Sequence, residues 1–534
     1  MNAAIWATAG AVGLPLVAGL GLGLVPMGAA KARRAGLALL VLVAASLALA
    51  LWAGEPGAVW AVAWLPDAGP LTLELGGSGV QAALMTTVAA LLSLGLVAAP
   101  RRWALATGLL CLGAANVAYL SGSFLGRYVA LEVVALCVAA APLIERADDE
   151  GPRIARAVYV LLRLGDAGLL MAILLLWRLS GTLAIDGALA GGLGADPASM
   201  RWVVGGLALA AWLKMGAWPF QAWIEAAEPL SPFTRAWTFA TVLPNLGLYL
   251  LYRVTPLIAA RSLTAQWLGW SAMLVALAAG LGSLLLLRGG AWRRSVVYLS
   301  AAQAGLALVL AAAGEGSLLF GILLLTTLPR LALYCAESVR GREGGRVCAS
   351  VAGGALVMAW AWALWSLRAA APAWAVAGGL PLLTMAGWTA IAMAYPMERT
   401  VLAEPIRPRR AREQGVLGSV AGAIYRWVEQ GLLGGLVTVL AGGVQWASRT
   451  AHDVVEEGLL GGFIAALTNG VVRASQVARR TVEEGTLDGS LRLVARGARA
   501  ASDRMARWHS GKLRSNLLWV AISLVALLAW AISG

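Results

Sequence analysis

Two ionisable residues lie within long apolar runs, where charged side chains are rare. Lys214 lies in LALAAWLKMGAWPF and Glu132 in RYVALEVVALCVAAAPLI, whereas the other lysines, Lys31 and Lys512, border such runs. An ionisable residue within an apolar segment costs free energy and marks a candidate functional site. A buried amine can release its proton near neutral pH, whereas a guanidinium cannot. Lysine at position 214, in a chain whose basic residues are arginine at all but three positions, therefore predicts a proton-exchanging group. A lysine that reaches the membrane surface is the structural alternative.

Three more charges could act together with this lysine. Glu132 needs a nearby cation or water to stay ionised in an apolar span, and Lys214 is the expected partner. Arg163 and Asp166 in VLLRLGDAGLLMA are three residues apart, the spacing of an ion pair on one helical face. The pattern leaves open whether this pair is structural or takes part in proton conduction.

Prolines next to two basic residues predict interrupted helices. Pro219 follows Lys214 by five residues, and Pro329 immediately precedes Arg330 in LLLTTLPRLALYC. A proline within a helix removes a backbone hydrogen bond and opens backbone groups to water. Arg330, and Arg235 in another apolar run, complete the set of candidate buried charges, with Arg330 as a candidate relay.

The elements that must position these charges are membrane-spanning helices. The 534-residue chain is 60% hydrophobic and 13% charged, with a mean hydropathy of +0.77. Apolar runs of about 20 residues recur almost from end to end, and this is the length of a helix that crosses a bilayer. We predict an all-α polytopic membrane protein with about 14 transmembrane helices, some of them broken. One predicted span, 202–223, contains Lys214, and the last one covers 515–533.

Loop charge predicts the orientation and the surroundings of the protein. Basic residues cluster in alternate loops, at positions 31–34, 101–102, 293–294 and 340–346. The positive-inside rule places these loops in the cytoplasm and the N-terminus outside. The expected location of this multi-pass protein is the bacterial inner membrane. The net charge of +14 suits contact with anionic lipid, and no nucleic-acid partner is predicted.

Cysteine and histidine usage argues against a redox centre. The four cysteines are scattered and form no CxxC pair, and the two histidines, His452 and His509, lie outside the apolar spans. Zinc and iron–sulfur sites need clustered ligands, and haem needs an axial ligand within reach. We therefore predict no metal and no cofactor. Whether the chain belongs to an enzyme is left open, because it carries no redox chemistry of its own.

Residues 428–508 form a second architectural feature, made of three copies of a 27-residue unit that begin at Val428, Val455 and Val482. Glycines recur along one stripe of each copy, which permits close approach to other backbones. We predict a long amphipathic lateral helix on the cytoplasmic side, kinked between units or presenting alternate faces; an ordinary interfacial helix is the alternative. The predicted organisation is an antiporter-like transmembrane domain (1–397), a basic linker (398–427), the lateral helix (428–508) and a C-terminal transmembrane anchor (509–534).

Four segments of the chain resemble one family of membrane proteins. They are VLLRLGDAGLLMAILLLWRLSGTL (160–183), KMGAWPFQAWIEAAEPLSP (214–232), VVYLSAAQAG (296–305) and WHSGKLRSNLLWVAI (508–522). All four are similar to motifs of the L-subunit family of complex I (NADH-quinone oxidoreductase), whose antiporter-like fold is shared with Mrp-type cation/proton antiporters. The first two motifs together are the most specific.

The resemblance implies roles for particular residues. Glu132 matches the family's channel glutamate and Lys214 its central lysine, while Arg163 and Asp166 match the pair that tunes this lysine. Tyr298 and Gln303 match further motif positions. Four aligned positions depart from the family pattern, where Thr238, Ile322 and Thr326 replace histidines and Arg330 replaces a lysine. The lysine of the family's later broken helix has no counterpart, because no basic residue occurs between Arg368 and Arg399.

The expected function is therefore that of a proton-translocating, non-redox membrane subunit of a complex I-like respiratory assembly. Its implied partners are other antiporter-like subunits and a module that carries quinone or redox chemistry. Two alternatives stay open. One is a membrane subunit that energises inorganic-carbon uptake or exchanges cations for protons, and the other is a non-conducting clamp that only braces an assembly.

Overall fold

The computed structural model describes residues 2–394, apart from 25–27, 56, 66–68, 98–99, 147, 149, 261 and 339–341. The predicted linker, lateral helix and C-terminal anchor (398–427, 428–508 and 509–534) lie outside the described residues, as does the predicted span 515–533. The described part is almost entirely helical, which confirms the predicted all-α polytopic fold.

Fifteen α-helices are present in the described part of the chain. They are α1 (Asn2–Leu24), α2 (Ala29–Ala53), α3 (Ser78–Leu96), α4 (Arg102–Leu120), α5 (Phe124–Glu145), α6 (Glu150–Ser180), α7 (Ile185–Leu193), α8 (Pro197–Met215), α9 (Ala222–Glu225), α10 (Leu243–Ala259), α11 (Ser262–Arg288), α12 (Trp292–Ala312), α13 (Gly316–Cys335), α14 (Arg342–Leu367) and α15 (Pro372–Ala394). A π-helix, Thr234–Val242, continues directly into α10, and a 3₁₀ turn, Ala336–Ser338, follows α13.

Twelve helical spans within the described residues are long and apolar enough to cross a membrane. In hydrocarbon every backbone polar group must be satisfied internally, and a helix does this within a single segment. The predicted span 202–223 corresponds to α8, which ends at Met215 and is not among the twelve. The described residues therefore form a multi-pass membrane protein.

A short β-hairpin, which the sequence did not predict, connects α2 to α3. Strand β1 (Val59–Leu65) pairs antiparallel with β2 (Gly69–Glu74). Glu74 at the end of β2 pairs with Arg253 of α10 at 2.6 Å, so this ion pair ties the hairpin to the helical bundle.

The chain breaks after Lys214, as Pro219 predicted. Helix α8 ends at Met215, and Gly216 turns the chain with a φ of +64°, a conformation that glycine adopts without steric cost. The indole of Trp212 donates to the carbonyl of Trp218 at 3.0 Å, and that of Trp223 to the carbonyl of Leu213 at 2.9 Å. These bonds satisfy backbone groups that the interrupted helix leaves open.

The predicted interruption at Pro329 is wrong, because α13 continues through it from Gly316 to Cys335. One proline removes a single hydrogen bond, and neighbouring helices can hold the segment helical. Here α13 packs against α10, α12 and α14. The side chains of Thr326 and Thr327 also donate to the preceding turn, at 2.7 and 2.6 Å.

Two of the basic loops, at 31–34 and 101–102, contact neighbouring loops at one end of the bundle, which we call the basic end. Arg33 donates to the carbonyls of Leu94 and Gly95, and Arg101 donates to the carbonyl of Glu145. The carboxylate of Glu145 in turn accepts hydrogen bonds from Ser231, at the start of the segment that leads into the π-helix. Loops that are far apart in sequence are therefore joined at this end.

Candidate functional site

Lys214 lies in the last turn of α8 and is completely buried. Its ammonium group donates to the carboxylate of Asp166, a residue of α6 that is also buried. A buried charge is tolerated only when it is paired and hydrogen-bonded. The structure therefore excludes the alternative in which Lys214 reaches the membrane surface.

Small residues bring α6 and α8 close enough for this ion pair to form. A Cβ atom added at Gly206 of α8 would lie 2.5 Å from the carbonyl oxygen of Gly168 in α6, a distance that Cβ atoms in proteins essentially never show. Helices that pack through glycines allow their backbones to come near each other. The two helices can therefore place Asp166 directly against Lys214.

The second ion pair joins Glu132 of α5 to Arg163 of α6. The guanidinium of Arg163 also lies over the ring of Tyr159, 4.9 Å from its centre. This pair is less buried than the first, because the side chains of Arg163 and Glu132 are 33% and 13% exposed. It lies nearer the surface of the described bundle.

The ion pairs differ from those expected from the sequence. Glu132 was expected to pair with Lys214, and Arg163 with Asp166 on the same helix, but Arg163 and Asp166 each pair with a charge on a neighbouring helix. Spacing along one helix shows which residues share a face, whereas pairing depends on which helices pack there. Because α6 packs against both α5 and α8, four charges of alternating sign cross the three helices.

Arg330 of α13 is buried and has a neutral partner. Its guanidinium donates to the side-chain oxygen of Asn245 in α10, and the Asn245 amide nitrogen donates to Thr327 at 3.0 Å. Asn245 was not predicted as a site residue, although it is the one amide in the apolar run LPNLGLYL. That isolated amide was the signal that could have identified it.

Among the four aligned positions that depart from the family pattern, Arg330 alone carries an ionisable side chain. Thr238 and Ile322 are buried, and the hydroxyl of Thr326 donates to the backbone of its own helix. Gln303 is also buried, and neither atom of its amide has a hydrogen-bond partner among the described residues. A buried amide of this kind offers a place for water between α12 and its neighbours.

A cluster of charges surrounds a small cavity at the basic end. The cavity holds about 20 Å³, room for roughly one water molecule, and its charged lining consists of Glu225, Glu228, Arg235, Arg293, Arg294 and Glu337. Arg235, predicted to be a buried charge, is 6% exposed and lies in this cluster, 3.5 Å from Glu337. Burial raises the pKa of the Glu225 carboxyl, and the positive charge of Arg294 opposes this shift.

Within the described residues, no group of three or more histidine, cysteine or acidic side chains could hold a metal ion. The four central charges form two ion pairs, in which two carboxylates meet one amine and one guanidinium. Lys214 is the one amine among them, and Asp166 is its direct counter-ion.

Similar folds occur in three multisubunit membrane complexes. This chain resembles a chain of respiratory complex I from Thermus thermophilus with bound NADH (TM-score 0.61, 20% identity, covering 74% of this chain and 89% of that one). It also resembles a chain of the membrane-bound sulfane sulfur reductase, an archaeal respiratory complex (TM-score 0.59, 18% identity, covering 82% of this chain and 97% of that one). A third similar chain comes from the Mrp complex of a Dietzia species (TM-score 0.62, 17% identity, covering 99% of this chain and 63% of that one). At these identities the likeness shows a shared fold.

No curated protein sequence matches the chain. A family model described as "NADH:quinone oxidoreductase/Mrp antiporter, TM" matches residues 121–398, which include the break after α8 and both central ion pairs. The resemblance to the family that complex I and the Mrp antiporters share is thereby confirmed. Because the match covers more than half of the chain, this protein belongs to the NADH:quinone oxidoreductase/Mrp antiporter family of membrane proteins.

Proposed function

We propose that this chain is a proton-translocating membrane subunit without redox chemistry of its own, and that it works within a complex I-like assembly. The observation that carries the proposal is the fully buried pair of Lys214 and Asp166, at the point where α8 is broken. An amine held against a carboxylate in an apolar interior keeps its proton, and it can release that proton when the carboxylate is withdrawn.

The second ion pair supplies a way to withdraw that carboxylate. Arg163 and Asp166 are three residues apart on α6, so the guanidinium of Arg163 could turn from Glu132 towards Asp166. Asp166 would then be neutralised by Arg163, and Lys214 would lose its counter-ion and release its proton. A change of one pKa unit corresponds to about 1.4 kcal/mol, so a modest rearrangement is enough to control proton transfer.

We expect Arg163→Gln to lower proton transport about tenfold, which corresponds to a loss of roughly 1.4 kcal/mol in the free energy that drives proton release from Lys214. The reason is that glutamine cannot displace Lys214 from Asp166. The measurement is the initial rate of proton uptake into vesicles that contain the complex. Arg156→Gln, which removes an exposed arginine of the same helix, is the matched control and should transport normally. Normal transport by Arg163→Gln would contradict the exchange of partners.

The proposed surroundings follow from charge and from the similar structures. We place the basic end in the cytoplasm of a bacterial inner membrane, with the predicted lateral helix (428–508) on the same side. The similar chains all come from multisubunit assemblies, which supports other antiporter-like subunits as partners. A redox or quinone module would supply the energy, and anionic lipid would contact the basic loops. Assignment to subunit L rests on the motifs and stays a prediction.

A non-conducting clamp is the second candidate, and it is favoured by the missing titratable groups at Thr238, Ile322 and Thr326. Cation/proton exchange or inorganic-carbon uptake is the third, supported by the likeness to the Mrp complex. Purification of the native assembly and identification of its subunits separates the third candidate from the other two, whereas the transport assay of Arg163→Gln distinguishes conduction from a clamp. A co-purified quinone or redox module supports the proposal, whereas cation-antiporter subunits or a carbonic-anhydrase-like protein would contradict it.

A further inference from the structure

Arg330 is a buried cation for which the described residues offer no carboxylate. Its side chain lies in the interior of α13, 4% exposed, and its one side-chain partner is the neutral amide of Asn245. Its Nε atom has no hydrogen-bond partner within the described part of the chain. By contrast, Lys214 meets Asp166 and Arg163 meets Glu132. The positive charge at position 330 is therefore not neutralised locally.

A guanidinium in this position acts as a fixed charge. Arginine stays protonated in proteins, so Arg330 can neither accept nor release a proton in the way that a lysine can. In a medium of low dielectric constant an unneutralised charge acts on other ions over a longer distance than in water. Arginine residues in membrane pores exclude protons and other cations by this effect.

One helix, α10, lies between Arg330 and the end of α8 that carries Lys214. The end of α8 packs against α10 at Gly247, where an added Cβ atom would lie 2.8 Å from the backbone nitrogen of Met215. Asn245, two residues before Gly247 in the same helix, holds the guanidinium of Arg330. The order across the bundle is therefore α6, α8, α10 and α13. A proton that leaves Lys214 towards α13 meets a positive charge.

We propose that Arg330 is an electrostatic barrier that keeps protons exchanged at Lys214 from leaking through the interior between α10 and α13. This role differs from the relay that the sequence suggested. That the excluded ion is a proton rests on the proposed function. That Arg330 is a fixed, unneutralised charge rests on its own contacts. Asn245 positions the guanidinium without neutralising it, which preserves the barrier.

The test is the passive proton leak of vesicles that contain the full chain, measured after an imposed pH step with no energy source. Arg330→Gln should raise the leak at least about tenfold, equivalent to about 1.4 kcal/mol of barrier. Arg330→Lys should make the leak depend on pH, low at acidic pH and high at alkaline pH, because a buried lysine without a counter-ion loses its charge as the pH rises. Arg288→Gln, which removes an exposed arginine at the end of α11, should leak like the unchanged protein.

The outcomes separate this inference from the proposed function. An Arg330→Gln protein that leaks no more than the unchanged protein, or one whose transport falls without a rise in leak, would overturn the barrier. If Arg330→Gln does not fold, the pH dependence of the leak in Arg330→Lys tests the barrier instead. A leak that stays low at alkaline pH in that variant would overturn the proposed barrier. Loss of transport in Lys214→Met concerns only the proposed function, since that variant retains Arg330.

Discussion

Lys214→Met should abolish proton transport, with a rate lowered roughly a hundredfold or more, because a proton-exchanging group typically contributes at least this much. Methionine has nearly the length of lysine and fills the same buried space, but it cannot carry a proton. Asp166 then loses its partner and can bind a proton itself, which avoids an isolated buried charge. Proton uptake into vesicles that contain the assembled complex is the measurement.

Lys214→Arg distinguishes the loss of a charge from the loss of an exchangeable proton. Arginine preserves the positive charge beside Asp166 but does not release its proton. We therefore expect this variant to fold and to be as inactive as Lys214→Met. Lys31→Met, at an exposed position in the first turn of α2, is the control and should transport normally. Substantial transport by either variant of Lys214 would refute conduction through this amine.

Asp166→Asn should destabilise the described domain by about 3–5 kcal/mol, the cost of breaking a buried ion pair on one side. The substitution leaves the ammonium of Lys214 in a completely buried site without a counter-ion. Thermal unfolding in detergent, followed by a probe of tertiary structure, reports the change. Transport should also be lost, because Lys214 no longer holds its proton.

The double variant Asp166→Asn with Lys214→Met tests whether the stability effect comes from the pair. Removing both charges replaces an ion pair by neutral groups of similar size, which is often neutral or stabilising. We expect most of the lost stability to return while transport stays absent, so the two effects of the site become separable in one cycle. A double variant that is less stable than Asp166→Asn alone would show that the pair is not the cause.

The membrane-spanning helices could be predicted from the sequence because their signal is local. About 20 apolar residues in succession have few other ways to satisfy their backbone in a bilayer, whatever the rest of the chain does. The break after Lys214 could be predicted for the same reason, since Pro219 acts on its own helix. Lys214 itself could be identified as a candidate because a charge in an apolar run is visible without any neighbour.

Only the tertiary structure decided which charges meet. Arg163 and Asp166 share a face of α6, but packing against α5 and α8 gave each of them a partner on another helix. Continuity of α13 through Pro329 likewise depends on the helices around it. Side-chain type and spacing are properties of one segment, whereas the neighbour that a buried charge finds depends on how segments pack, and a single sequence does not contain those distances.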